Sequence, residues 1–330
     1  MHKLFDEKIN DFLFVIIFPF LLLFMAYYGF ESSYVNMKMW EKAPDFMFSS
    51  VYAYRVIPNY LSVHAGDIFT QIVNGFPDLK IFLLKHGSLF YHSVFLVNSL
   101  FFVLSSVLLS LIFKLNPSVF FHDTRIKRLV HLLAVFFIVI TQYVPTNCDS
   151  IAVFFYLFGI FLSLRYFQYK KINDFLLLVV LVFVSTFVRE TACLNIAFFA
   201  ALFVNIKKLD FNRIKEVTFL VVAFLSAYFG LKFFIPQQVS FAEGVYVVKN
   251  FTSPFNLAGL CFGVLGLYFV SQICTPNQQI ILKKYLLFSS PYLAMIAFVG
   301  IFWETRLFIP LLLTGFVVAS HELKKYPTVS

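Results

Sequence analysis

Charge is scarce in this chain. Only 13% of its 330 residues are Asp, Glu, Lys or Arg, about half the share of a soluble domain. The sequence has no P-loop, no G-x-G-x-x-G, no G-x-S-x-G and no kinase motif set, which disfavours soluble nucleotide chemistry. Its four cysteines, Cys148, Cys193, Cys261 and Cys274, form no C-x-x-C or other metal spacing. They read as free thiols packed among helices, with a Cys148–Cys193 bridge open only if both face an oxidising compartment. His86, His92, His122 and His131 make no H-x-x-x-H pattern. No Gly/Ser-rich or Pro-rich linker and no short repeat divides the chain, so residues 1–330 read as one integral membrane domain. No A-x-A site follows the first apolar stretch, Phe12 to Phe30, which reads as a retained signal anchor. Neither end carries a lipidation motif.

What is present is apolar. Hydrophobic residues make up 60% of the chain and phenylalanine alone contributes 48. A soluble domain could not hide so much apolar surface, whereas lipid accepts it. The net charge of +9 invites a nucleic-acid reading, but the charges lie in short loops between apolar runs, the topology signal of membrane proteins. The fold class expected is all-α: a polytopic transmembrane helix bundle of about ten spans. They fall at roughly 11–30, 89–113, 129–145, 150–168, 173–188, 191–206, 217–235, 255–272, 284–302 and 306–320. Residues 31–88 hold two shorter apolar pieces, 49–63 and 79–84, which read as interfacial or re-entrant helices.

Seventeen of the 26 basic residues fall in the N-terminus, 114–128, 165–172, 207–216, 283–284 and the C-terminus. This alternation predicts a multi-pass protein with both termini in the cytoplasm. The basic loops then read as topogenic anchors near lipid headgroups, and the mixed-charge residues all fall on the outer face.

Two long apolar runs are each interrupted once. Between Phe175 and Val204 the only charges are Arg189 and Glu190, and between Tyr285 and Ser320 they are Glu304 and Arg306. A thirty-residue helix would be about 45 Å long against a hydrocarbon core of about 30 Å. Each run therefore reads as two short spans meeting at a charged turn, with both turns at the same face. A buried arginine needs a partner, and Glu190 and Glu304 stand beside these two in sequence. The structural reading is a pair of internal salt bridges. The functional reading is that the guanidiniums bind phosphate or pyrophosphate, for which a permanently charged, bidentate fork is suited. Arg55, in Tyr52-Ala53-Tyr54-Arg55-Val56-Ile57-Pro58, is either an interfacial anchor or a third phosphate ligand.

The acidic candidates are Glu31, Glu41 and Asp45, just beyond the first span. A carboxylate there could take a proton from an acceptor hydroxyl or hold a divalent cation. Asp149 reads as a helix cap through its side-chain oxygen, with a place on a cavity rim as the lesser role. His64 is a supporting candidate that could titrate. No residue set predicts a metal site, and Asn250-Phe251-Thr252 is a glycosylation triplet too short to inform.

Tyr54-Arg55-Val56-Ile57-Pro58, Arg189-Glu190-Thr191 and Glu304-Thr305-Arg306-Leu307-Phe308-Ile309-Pro310 together resemble bacterial polytopic membrane proteins of surface-polysaccharide loci. Those are similar to the GT-C superfamily of glycosyltransferases and, more distantly, to Wzy-type O-antigen polymerases. The resemblance implies a GT-C-like bundle in the cell inner membrane, acting on a polyprenyl-phosphate-linked sugar beside polysaccharide-assembly proteins. It implies a catalytic carboxylate among Glu31, Glu41 and Asp45, and phosphate contacts from Arg55, Arg189 and Arg306. The chain departs from the GT-C pattern in lacking the paired acids after the first span and a soluble C-terminal domain. A transporter or flippase for a lipid-linked or anionic solute, or a non-catalytic assembly subunit, are the other readings.

Overall fold

The computed structural model describes residues 7–29, 38–49, 51–141, 146–205, 210–235 and 245–323. Among them there is no β-strand; the one extended pairing is an isolated bridge between Pro117 and His321. In chain order the helices longer than one turn are α1 (Glu7–Gly29), α2 (Val56–Asn74), α3 (Pro77–Leu84), α4 (Leu89–Lys114), α5 (Thr124–Thr141), α6 (Asp149–Tyr169), α7 (Ile172–Thr186), α8 (Cys193–Phe203), α9 (Phe211–Phe234), α10 (Val247–Thr252), α11 (Pro254–Gln272), α12 (Pro276–Phe288), α13 (Ser290–Val299) and α14 (Ile309–Ser320). Five of these, α1, α4, α6, α9 and α11, are long and apolar enough to cross a bilayer. A sixth is added if α12 and α13, bent by 52°, form one span. The chain is thus a multi-pass helical membrane protein. Shorter apolar helices occupy Ile172–Thr186, Glu190–Phe203 and Thr305–Ser320.

Local signals set three helix starts. Ser88 accepts a hydrogen bond from the Tyr91 amide at the start of α4, and Asp210 does the same for Asn212 at the start of α9. Thr275 and Gln278 form a reciprocal capping box in front of α12, with Pro276 in the first turn. These caps satisfy amides that the helix itself cannot pair. Pro291 stands in the first turn of α13, and without an N–H it cannot donate to the Leu287 carbonyl four residues back, which accounts for the bend.

Several boundaries differ from the sequence expectation. Helix α5 starts at Thr124 rather than 129 and α9 at Phe211 rather than 217, because basic residues prolong a helix past the apolar core by snorkelling. The expected span 284–302 is the bent pair α12–α13. The apolar piece 49–63 divides into a 3₁₀ turn, Val51–Tyr54, and a helix that runs on to Asn74.

Every residue of α14 from Ile309 to Ser320 is buried, so this helix has no lipid face. Helix α11 approaches it through a glycine stripe. A Cβ at Gly263 would stand 2.7 Å from the Phe308 ring and one at Gly266 2.7 Å from the Leu312 side chain, while one at Gly259 would run into the Phe302 carbonyl. Small residues let two membrane helices close their separation where no hydrophobic driving force separates lipid from protein. The outer sides of α9 and α11, by contrast, expose Phe229, Phe233, Leu265 and Phe269, as lipid contact demands.

The two kinds of glycine make a test. Gly259→Ala must push backbone aside, and overpacking of that sort costs about 1–3 kcal/mol; a lowered unfolding midpoint in detergent is expected. Gly230, in α9, has nothing within 4 Å of its would-be Cβ. Gly230→Ala should leave the midpoint unchanged or raise it, since alanine in a helix is favoured by about 1 kcal/mol.

Candidate functional site

Asp149 opens α6 at the end of the bundle where both charged turns lie. The residue is 4% exposed. Arg189 Nη1 donates to Oδ1, and Arg306 Nη1 donates to Oδ2 at 2.9 Å. Arg306 also donates from Nη2 to Glu304 at 2.9 Å. One carboxylate thus joins two guanidiniums that are 117 residues apart in sequence.

Each arginine is held by a helix break. Helix α7 stops at Thr186; Phe187, Val188 and the extended Arg189 lead into a 3₁₀ turn, Glu190–Ala192, before α8 begins. Arg306 stands in a second 3₁₀ turn, Thr305–Phe308, in front of α14. A continuous helix would carry these side chains round to other faces at 100° per residue. Glu304 pairs with Arg306 as its position suggests. Glu190 does not pair with Arg189, because the turn separates them and Asp149 takes the guanidinium instead.

Arg55 joins from the third direction. The Ile57 amide donates to the Phe187 carbonyl at 3.2 Å, tying the start of α2 to the end of α7. Arg55 Nη1 reaches Cys148 Sγ at 3.1 Å, and its guanidinium lies 4.3 Å from the centre of the Tyr52 ring. Its charge acts on the neighbouring Asp149 carboxylate. Its Nε is buried with no hydrogen-bond partner. Asn59 holds this corner together, donating to the carbonyls of Met47 at 2.6 Å and Tyr52 at 2.9 Å and accepting from Asn147 at 2.8 Å. Among the described residues, the carboxylates hydrogen-bonded within this group are Asp149 and Glu304, against three guanidiniums. The excess is cationic and centres on Arg55.

A cavity of about 20 Å³ lies between Asp149, Arg189, Arg306, Tyr156 and Pro310, room for one water. Asp149, Ala152, Val153 and Tyr156 line it from one face of α6, at the i, i+3, i+4, i+7 spacing of a helix. Beneath it the Tyr156 hydroxyl meets the Thr314 hydroxyl and, at 2.8 Å, that of Tyr285. A smaller space beside Arg189 is lined by Ser185, Thr191 and Asn195. The Asn195 amide is fully buried, and neither its oxygen nor its nitrogen has a partner.

The other sequence candidates lie elsewhere. Asp149 is not a side-chain cap: Cys148 is the capping residue and makes no side-chain cap bond. Both Asp149 oxygens serve arginines because two buried cations outbid a backbone amide. Glu41 and Asp45 are exposed, on the 38–49 segment that reaches the bundle through Met47. His64 is exposed on α2, its ring 6.3 Å from that of Tyr60. Glu31 falls outside the described residues. Cys148 and Cys193 are free thiols. Asn250 is fully buried, donating to the Ala297 and Gly300 carbonyls. Among the described residues no three His, Cys, Asp or Glu side chains come together to hold a metal.

Sequence reasoning missed the centrality of Asp149 and the Tyr156–Tyr285–Thr314 cluster. A signal existed for the first: Asp149 is the only acid between Asp123 and Asp174, at the same end as both charged turns. Asp149→Ala takes the carboxylate from buried Arg189 and one carboxylate from Arg306, a loss expected to cost about 3–5 kcal/mol. Unfolding in detergent measures it, and Asp149→Leu combined with Arg189→Met should recover part of the loss. A variant as stable as the parent would show that the carboxylate carries no such load. Comparison with protein-family models, with curated proteins and with solved structures finds no match.

Proposed function

We propose that the arginine group binds the phosphate or pyrophosphate of a polyprenyl-linked sugar, and that the protein transfers that sugar in surface-polysaccharide assembly. The reading places ten crossing segments in the cytoplasmic membrane, both termini inside, with the short helices α7, α8 and α14 meeting at charged turns on the outer face. It takes the GT-C or Wzy-type likeness of three short motifs as its guide to substrate.

What supports it is Arg55: a partly buried guanidinium with an unsatisfied Nε, beside two further arginines whose charge one aspartate shares. A lipid phosphate supplies the missing acceptor and charge. In the reaction, the acceptor hydroxyl oxygen bonds to the anomeric carbon of the donor while the bond from that carbon to the phosphate oxygen breaks. The phosphate leaves with the electron pair, and the acceptor proton passes to a carboxylate. Guanidiniums fixed at the phosphate stabilise charge as it develops there. Asp149 is a poor base for the proton, since both of its oxygens accept from arginine. Glu41, Asp45 and Glu31 remain the carboxylates of the proposal. The 20 Å³ cavity admits no phosphate, so the ligand enters from the Arg55 side or displaces the Asp149 carboxylate.

Helices broken at a charged site also occur in transporters, and this gives the second reading its one favouring observation. Purified protein in nanodiscs, given a polyprenyl-pyrophosphate-linked oligosaccharide and assayed for new glycosidic product, separates the two. Arg55→Ala should lower product formation by about 10²-fold or more with insertion and unfolding midpoint near those of the parent. Arg55→Lys, which keeps the charge and loses the fork, should fall between. Undiminished product in Arg55→Ala would overturn the role of the arginines. Movement of the lipid-linked sugar across proteoliposomes without covalent product would favour transport.

A further inference from the structure

The opposite end of the bundle holds a second polar cavity. Asn98 of α4 donates to the Thr146 carbonyl at 3.1 Å, which sets it level with the arginine group. Lys114 lies sixteen residues further along the same helix, roughly 24 Å away at 1.5 Å per residue. There the start of α1, the end of α4 and the first turns of α5 enclose about 390 Å³, within the range of ligand pockets.

Its charge is unbalanced. Lys114 Nζ pairs with Asp11 at 2.8 Å; Arg128 pairs with Glu7 at 2.5 Å and with Asp11 at 3.3 Å. Lys127 also lines the cavity and makes no ion pair among the described residues. Among the described residues that line it, three cations face two carboxylates, and Arg128 Nε is buried without an acceptor. The hydroxyls of Ser110 and Thr124 line the same space. The floor is apolar, formed by Phe14, Val15 and Phe113, with Phe14 under the Arg128 guanidinium at 5.5 Å. Leu13, Leu111 and Leu129 are exposed on the helices that form the cavity.

The geometry points to a binding site for the headgroup phosphate of an anionic phospholipid. A phosphodiester accepts from Lys127, Arg128 Nε and the hydroxyls, and its negative charge offsets the cationic excess of the described lining residues. A zwitterionic headgroup has no net charge to offer. Exposed leucines on the three helices that form the cavity offer apolar surface to acyl chains, which a soluble phosphate has no use for. Basic recesses between membrane helices take lipid headgroups in this manner. This site stands apart from the arginine group, and its test does not depend on the proposed reaction.

The experiment is a titration of the detergent-purified protein with dioleoylphosphatidylglycerol, dioleoylphosphatidylcholine or glycerol 3-phosphate, read by unfolding midpoint and by bound lipid in native mass spectrometry. Phosphatidylglycerol should raise the midpoint saturably and remain bound, and the other two should not. Lys127→Gln should weaken phosphatidylglycerol binding about fivefold and Lys127→Glu further, while Lys249→Glu, at the opposite end, should leave it unchanged. Equal binding of the two lipids, or unchanged affinity in both Lys127 variants, would overturn the site. An equal shift from glycerol 3-phosphate would replace the lipid by a soluble phosphate ester and so overturn the lipid assignment.

Discussion

Two arginines and one aspartate, drawn out of water at the end of a helix bundle, set the terms for the rest of this structure. An isolated guanidinium in such a place is costly, and the cost falls only when a carboxylate and further acceptors surround it. Asp149 supplies one oxygen to Arg189 and the other to Arg306. That geometry requires α7–α8 and the α14 run to break where they do, because only a turn can aim both side chains at the start of α6. The helix breaks, the shared carboxylate and the burial of the arginines are therefore one arrangement.

The packing below the site follows from the same placement. Helix α14 descends from the Arg306 turn with neighbours on every side, and its Thr314 is met by Tyr156 and Tyr285. A hydroxyl buried in a hydrocarbon-like interior needs a partner, and the three supply one another. Around them the glycines of α11 bring its backbone against the Arg306 turn and α14, and the Phe302 carbonyl fills the space that a side chain at Gly259 would take. The rigid backing keeps the arginine turn in register with Asp149. Asn195 is the exception: its amide is enclosed beside Arg189 without a partner, lining a small space with Ser185 and Thr191.

Charge is thus confined to the two ends, and the ends differ in kind. At one, arginines are buried against a carboxylate and a thiol and face a cavity the size of a water. At the other, Lys114, Lys127 and Arg128 line a larger cavity with an apolar floor. Among the described residues, both ends carry cations in excess of their acidic partners.

Composition and charge placement by themselves determined that this is a helical membrane protein, and the interruption of two apolar runs marked where helices break. Those features are local: hydropathy, helix length against bilayer thickness, and the need of a buried charge for a turn. Boundaries were less legible, because snorkelling basic side chains carry α5 and α9 past the end of the apolar pattern. Tertiary structure alone decided the pairing. Glu190, next to Arg189 in sequence, loses to Asp149, forty residues away, since a turn separates sequence neighbours while the bundle brings helix ends together. It also decided that Arg55 lies against Cys148 while Glu41, Asp45 and His64 stay at the surface, for the placement of the 38–74 segment depends on Asn59 and Ile57 finding partners on other helices. No pattern within one segment can encode a distance between two.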